Sequence, residues 1–398
     1  MFESVQPAPP DAILGLSEAF RADPNPRKIN LTVGVYQTPA GKTPVLDVVR
    51  EAERRLLEAG EGKSYLPIPG SPLYAKCVQE LLFGVGHEVI ASSRAVTAHT
   101  PGGTGALRVA GDFLAQNFPG KTVWLSKPTW PNHPAVFAAA GVATKTYPYF
   151  DAATGGLDID ALKEAIATIP TGDVMLLHGC CHNPTGVDPS PDQWQQLVDL
   201  IRDRGILPLL DFAYQGFADG IDEDAAPIRL FCQPGEELIV CSSFSKNFGL
   251  YRERVGALTV VTADQTTADA VASRIKTAIR ANYSNPPAHG GAIVATVLGD
   301  NTLRARWVEE VDAMRRRLSD ARELLVAKLR EHDVPGDYAF LARQRGMFSF
   351  SGLSPEHVDA LREKYAIYIV RSGRINVAGI SEDNVDRLCA AIKEVVDG

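Results

Sequence analysis

Between residues 95 and 261 the chain alternates short apolar runs with segments of helical period, and few folds accept that rhythm. The runs are Val123-Trp124-Leu125, residues 143–147, Val174-Met175-Leu176-Leu177, residues 206–210, Leu238-Ile239-Val240 and residues 256–261. The helical segments are 104–117, 131–140, 158–169 and 190–204. Runs that are apolar on both faces are strands covered on both sides, so the alternation predicts a mostly parallel central sheet with helices on both faces. A smaller α+β part is expected to follow, from Met347-Phe348-Ser349-Phe350, a helix near 355–364, residues 367–370, Ile375-Asn376-Val377 and a closing helix. The expected class is α/β. In such a sheet ligands gather beyond the carboxyl ends of the strands, so the residues just after each run are the ones to read.

The flanking parts are less regular. Residues 1–14, with Pro7, Pro9 and Pro10, read as an arm, either disordered or laid on a partner. A short helix is expected over 11–20, a strand at Leu31-Thr32-Val33-Gly34-Val35, and helices opened by Thr43-Pro44 (ending at Gly60) and by Ser71-Pro72. A long helix is expected over 302–332, with Arg315-Arg316-Arg317 on a solvated outer face. The net charge of −8 argues against nucleic acid or an anionic membrane as the main partner. No apolar run approaches a membrane span, and 6 cysteines do not make a disulfide framework; the expected compartment is the reducing cytoplasm.

The run 238–240 leads into Cys241-Ser242-Ser243-Phe244-Ser245-Lys246-Asn247-Phe248-Gly249, with Arg254 beyond. A lysine in a partly dry pocket loses its charge more easily and can attack a carbonyl, but this stretch alone reads equally as a solvated loop. Pro101-Gly102-Gly103-Thr104-Gly105 enters a helix and presents backbone N–H groups suited to phosphate, or serves only a tight turn. Trp130, between Pro128 and Pro131, offers a stacking face or is simply packed. Asn183 before Pro184 is a fixed polar side chain at a strand end. Two histidines and two cysteines within 178–182 invite a zinc reading, which is set aside because ligands on nearly consecutive residues cannot converge on one tetrahedral centre; no metal is expected. Asp211, ending the run 206–210, needs a positive partner if buried, or caps a helix. Tyr214 can reach the same object.

Together these residues specify a site for pyridoxal 5′-phosphate, which needs a lysine, an acid for its ring nitrogen, donors to its ring oxygen, a stacking aromatic and a phosphate cup. The candidates in that order are Lys246, Asp211, Tyr214 with Asn183, Trp130, and Gly103-Thr104 with Ser243 and Arg254.

With these motifs, and with Arg280-Ala281-Asn282-Tyr283-Ser284-Asn285-Pro286-Pro287 and Ser372-Gly373-Arg374-Ile375-Asn376-Val377-Ala378-Gly379, the chain from about Ile29 onward resembles the class I aminotransferases, within them the aspartate and aromatic amino-acid group. The resemblance implies fold type I: a large cofactor-binding domain over 45–315 and a small domain from 15–44 and 316–398. It also implies a homodimer with shared active sites, the arm 1–14 lying on the neighbour. It adds Tyr65, reaching the other subunit's cofactor phosphate. Arg374 is implied for the substrate α-carboxylate, Arg280 for the partner's distal carboxylate, and Gly34, Asn183 and Trp130 for substrate contact. His133 is expected to support Asp211. The implied activity is ping-pong amino transfer between L-aspartate and 2-oxoglutarate, with Lys246 as proton carrier. Tyr65-Leu66-Pro67 looks more like the aromatic-type enzymes, and Lys127 stands where the group more often has Asn or Asp. An aromatic or dual-specificity aminotransferase is therefore the alternative. A decarboxylase, and a binding protein without activity, are further alternatives.

Overall fold

The computed structural model describes residues 1–7 and 14–397. At its centre lies a seven-stranded sheet in the spatial order 95–101, 255–261, 238–243, 207–212, 174–178, 122–127, 143–148. Neighbours are parallel except around Val255–Val261, which runs antiparallel to both strands beside it. Every apolar run read from the sequence lies in this sheet. The strand Ala95–Pro101 was not singled out, because Thr97, His99 and Thr100 interrupt its apolar pattern. All three are nonetheless buried, and Thr97 shares a 2.9 Å hydrogen bond with Thr259 across the pair.

Strand alternation sends Leu176, Leu209 and Ile239 to one face and Leu177, Leu210 and Val240 to the other. The first face packs on Ala106, Val109 and Phe113 of the helix Gly102–Asn117. The second packs with Trp194 and Leu197 of Pro191–Arg204 and Trp307 of Asn301–Glu331. Pro191–Arg204 shows why the sequence pattern held: Ser190 and Gln193 form a capping box, and Gly205 closes the helix at φ 66°. The chain ends meet in a smaller assembly. Ile29–Asn30 pairs in parallel with Ile367–Tyr368, and Phe348–Phe350 pairs antiparallel with Arg374–Asn376.

Three expectations change. Residues 31–35 form no strand, because their carbonyls are taken by side chains: Arg374 donates to Thr32, and Asn376 to Val33 and Val35. The second helix runs Asp47–Ala59, later than Thr43-Pro44 suggests; its first amides are capped from afar by the Glu310 carboxylate, at 2.8 and 3.0 Å. Arg317 is not on the solvated face, since it donates to the carbonyls of Ala378 and Ile380. Residues 1–7 include a 3₁₀ turn, Phe2–Ser4, whereas the rest of the expected arm, 8–13, and the expected helix start at 11–13 lie outside the described residues. That helix is seen from Leu14 to Ala22. Among the described residues no helix is long and apolar enough to cross a membrane, and all 6 cysteines are buried free thiols.

Candidate active site

The strands Val174–His178, Leu207–Phe212 and Leu238–Ser243 end around a cavity of about 300 Å³, closed on one side by the start of the helix Gly102–Asn117. Its floor is acidic. Asp211 lies inside its strand, in register with His178, and caps no helix. His133, fully buried, sits with Nε2 3.0 Å from Asp211 Oδ2, and Thr129 Oγ1 lies 2.8 Å from its Nδ1. A ring that donates to the carboxylate from Nε2 accepts from the hydroxyl at Nδ1. Burial alone would raise the Asp211 carboxyl, but the hydrogen bond from His133, with the charges of His133, His178 and Lys246, holds it below the ordinary value. A buried carboxylate that stays ionised and faces a cavity selects a positive group there.

Lys246 lies on the loop that leaves the neighbouring strand. Phe244 and Phe248 flank it in the core, Phe248 stacks on Trp307 at 4.7 Å, and the Trp307 indole donates to the Asn247 carbonyl at 2.7 Å. The backbone around the lysine is thus pinned to the long helix. Its Nζ stands 4.7 Å from the centre of the Tyr214 ring. Burial pulls its pKa down to about 8; Asp211 opposes the shift and Arg254 adds to it. The solvated-loop alternative is excluded by this environment.

Glycine shapes the side opposite the acid. Gly102 has φ +74°, and a Cβ there would lie 2.6 Å from Arg254 Nη2. A Cβ on Gly256 would strike the Gly102 carbonyl carbon at 2.4 Å. Gly103 lies against Ser243, where a Cβ would come within 3.1 Å of the serine Cβ. The free N–H groups at this helix start, the serine hydroxyl and the guanidinium therefore crowd one corner, which suits an anion.

At the rim Arg374 is buried, donates from Nη2 to the Thr32 carbonyl at 3.1 Å, lies 4.1 Å from the Phe348 ring and leaves Nε without a partner. Asn183 Oδ1 is likewise buried and unpaired. Trp130, Asn183, Tyr214, Thr104 and Gly34 line the same cavity. Tyr65 and Arg280 do not: Tyr65 is 90% exposed, and Arg280 is exposed and donates to Ser284. Within the sequence region that suggested zinc, both His182 nitrogens are engaged, by Ser126 at 2.9 Å and Thr185 at 2.8 Å.

Sequence reasoning missed four polar or aromatic residues that line this cavity. His178 was considered only beside the cysteines; both its nitrogens are buried without partners, and burial lowers its pKa to about 3. Ser245 is marked in the sequence only as a second hydroxyl beside Lys246. Tyr251 and Phe348 carried no signal, because their relevance depends on the tertiary path of 32–36 and of the small assembly.

The ionised floor, the neutralisable lysine and the glycine-lined anion corner fit pyridoxal 5′-phosphate: a cationic ring nitrogen for Asp211, an aldehyde for Lys246 and a phosphate for the corner. An α/β sheet covered by helices on both faces, with a neutralisable lysine beyond its strand ends, defines a site of the lysine-anchored cofactor type. The chain belongs, more narrowly, to the class I and II aminotransferases, whose family model matches residues 26–392. It is 55% identical, over the full length of both chains, to the aspartate aminotransferase of Salmonella typhi. It is 48% identical to the aromatic-amino-acid aminotransferase of Pseudomonas aeruginosa, over 99% of this chain and 98% of that one. The crystal structure of the aromatic-amino-acid aminotransferase from Burkholderia pseudomallei, covalently bound to pyridoxal phosphate, superposes with a TM-score of 0.97 at 48% identity, covering 100% of this chain and 99% of the other.

Proposed function

We propose that this aminotransferase moves the amino group between L-aspartate and 2-oxoglutarate with pyridoxal 5′-phosphate as cofactor. The observation that carries this reading is the buried, partly unpaired Arg374 on the cavity that also holds Lys246 and Asp211. A planar guanidinium with free donors receives a carboxylate in two-point fashion, and the substrate Cα is then held near the lysine amine. When bound, the cofactor supplies an aldehyde and an electron-withdrawing ring that stabilises negative charge at the substrate Cα.

The remaining work falls to the chain. Lys246 would hold the cofactor and, as general base and then general acid, would take the proton from the substrate Cα and give it to the cofactor carbon on the same side. Asp211, fixed by His133, keeps the ring nitrogen charged. Tyr214 and Asn183 donate to the ring oxygen, and Trp130 stacks. Gly103, Thr104, Ser243 and Arg254 take the phosphate. Gly34, Asn183 and Trp130 touch substrate. In this reading Tyr65 and Arg280 act across a homodimer interface, which agrees with their exposure on the single chain. Arg280 then selects a second carboxylate, as aspartate and 2-oxoglutarate require. The reading also takes 45–315 as a cofactor unit and 15–44 with 316–398 as a smaller unit that closes on it, places the arm on the partner, and puts the enzyme in the cytoplasm. A preference for aromatic donors is the second reading, favoured by the likeness of Tyr65-Leu66-Pro67 to the aromatic-type enzymes.

Mixing the cofactor-loaded protein with single amino acids, and following conversion of the cofactor to its amine form by absorbance, tests this. Aspartate and glutamate are expected to convert it, with a specificity constant for aspartate above that for phenylalanine. No conversion by aspartate would sink the proposal. Gly102→Ala probes the anion corner. Its Cβ displaces Arg254 and strains a positive φ, so the cofactor dissociation constant, measured by equilibrium dialysis, is expected to rise about 5- to 100-fold.

A further inference from the structure

The residues 32–36 form a strap, with Gly34 lining the cavity, that is held from two sides. From one side, Arg374 and Asn376 donate to the carbonyls of Thr32, Val33 and Val35. From the other, the Tyr36 backbone N–H donates to the Tyr251 hydroxyl at 2.9 Å. Among the described residues this is the only hydrogen bond joining 30–38 to 243–256. Tyr251 also lines the cavity, and its carbonyl accepts from Arg254 at 3.4 Å. Gly34 lies between the two anchors, lining the cavity, and a Cβ on it would sit 3.7 Å from the Phe348 ring, the ring on which Arg374 rests.

A backbone segment with no strand partner on this side keeps its position only through such side-chain bonds. The donors to the strap's carbonyls, Asn376 and the arginine proposed for the α-carboxylate, lie on one strand, and the Tyr36 amide bonds to the loop that carries Lys246 and Arg254. We propose that the Tyr251 hydroxyl is a latch: it holds Gly34 and, through the strap, the Arg374 guanidinium at a fixed reach from Lys246, so that a dicarboxylate is bound in place. Tyr251 is a positioning residue for substrate, acting through Gly34 and Arg374. The inference rests on the substrate reading above.

Tyr251→Phe removes the hydroxyl and keeps the ring. In the holoenzyme, binding of succinate, a dicarboxylate that cannot react, is followed by the absorbance of the bound cofactor. The variant is expected to bind succinate about three- to tenfold more weakly, the value of one hydrogen bond, and to raise KM for aspartate similarly. Its kcat stays within about twofold and cofactor affinity is unchanged, while the melting temperature falls by no more than a few degrees, roughly the value of one lost hydrogen bond. Tyr36→Phe, which keeps the backbone N–H, is expected to leave succinate binding unaltered. An unchanged succinate affinity in Tyr251→Phe, or a loss of kcat or of cofactor that exceeds the loss of succinate binding, overturns the latch. If the wild-type protein fails to convert with aspartate, the substrate reading falls instead, and that outcome is read on the wild type alone.

Discussion

Replacing Lys246 with alanine is expected to lower kcat/KM for aspartate by at least about 10⁴-fold, because one change removes both the covalent anchor and the proton carrier. Among the described residues no other amine lines the cavity to take over either task. The loss cannot be attributed to unfolding. Burial depresses the lysine pKa from 10.5 to about 8, so at neutral pH the folded protein carries a cation that its environment disfavours. Alanine relieves that cost, and the melting temperature of the cofactor-free variant at pH 7 is expected to equal or exceed that of the wild type. The sign can be checked by pH. Between about 8 and 10.5 the unfolded chain holds the Lys246 proton more firmly than the folded one, so this group makes the cofactor-free wild type more stable as pH rises through that window. The alanine variant lacks this rise. A variant that retains more than a few per cent of activity, or that melts well below the wild type, contradicts the assigned role.

Much of this was legible in local sequence, and the parts that were not share a cause. Strands such as 174–178 and 238–243 announce themselves because both faces are buried, and Pro191–Arg204 because its cap and its terminating glycine are local. Lys246, Asp211 and Asn183 could be picked out because each follows an apolar run in a sheet whose strand ends face ligand, and Arg254 because it lies just beyond the Lys246 stretch. What failed depended on partners far away in the chain. Residues 31–35 have the β-branched composition of a strand, yet Arg374 and Asn376, more than three hundred positions later, claim their carbonyls. The helix at Asp47–Ala59 takes its cap from Glu310, which no reading of Thr43-Pro44 reveals. Tyr251 gained its meaning only when Tyr36 was brought against it. The resemblance to known aminotransferases supplied Arg374, Arg280 and Tyr65, none of which spacing alone distinguishes from a surface residue. The structure buries the first at the cavity and leaves the other two on the surface of the single chain.

Asp211→Asn is expected to reduce kcat by about 10²- to 10⁴-fold while the protein still takes up cofactor through Lys246. The amide keeps the shape of the carboxylate and its contact with His133 but carries no charge, so a protonated ring nitrogen loses the partner that makes it an electron sink. Two further readouts separate this role from a structural one. Asp211 is among the charges that hold the Lys246 pKa up against burial, so in the variant the cofactor-free lysine is expected to titrate below about 8, which its rate of modification by an aldehyde reagent reports. The carboxyl of Asp211 is held below its ordinary value in the fold, so its ionised form stabilises the protein above the ordinary carboxylate range, a contribution lost as pH falls through the lowered folded value. The variant should therefore lose less stability than the wild type on acidification below about pH 4, the unfolded carboxylate range. A variant with near-normal kcat, or one whose lysine titrates above that of the wild type, would show that the acid acts through packing rather than through charge.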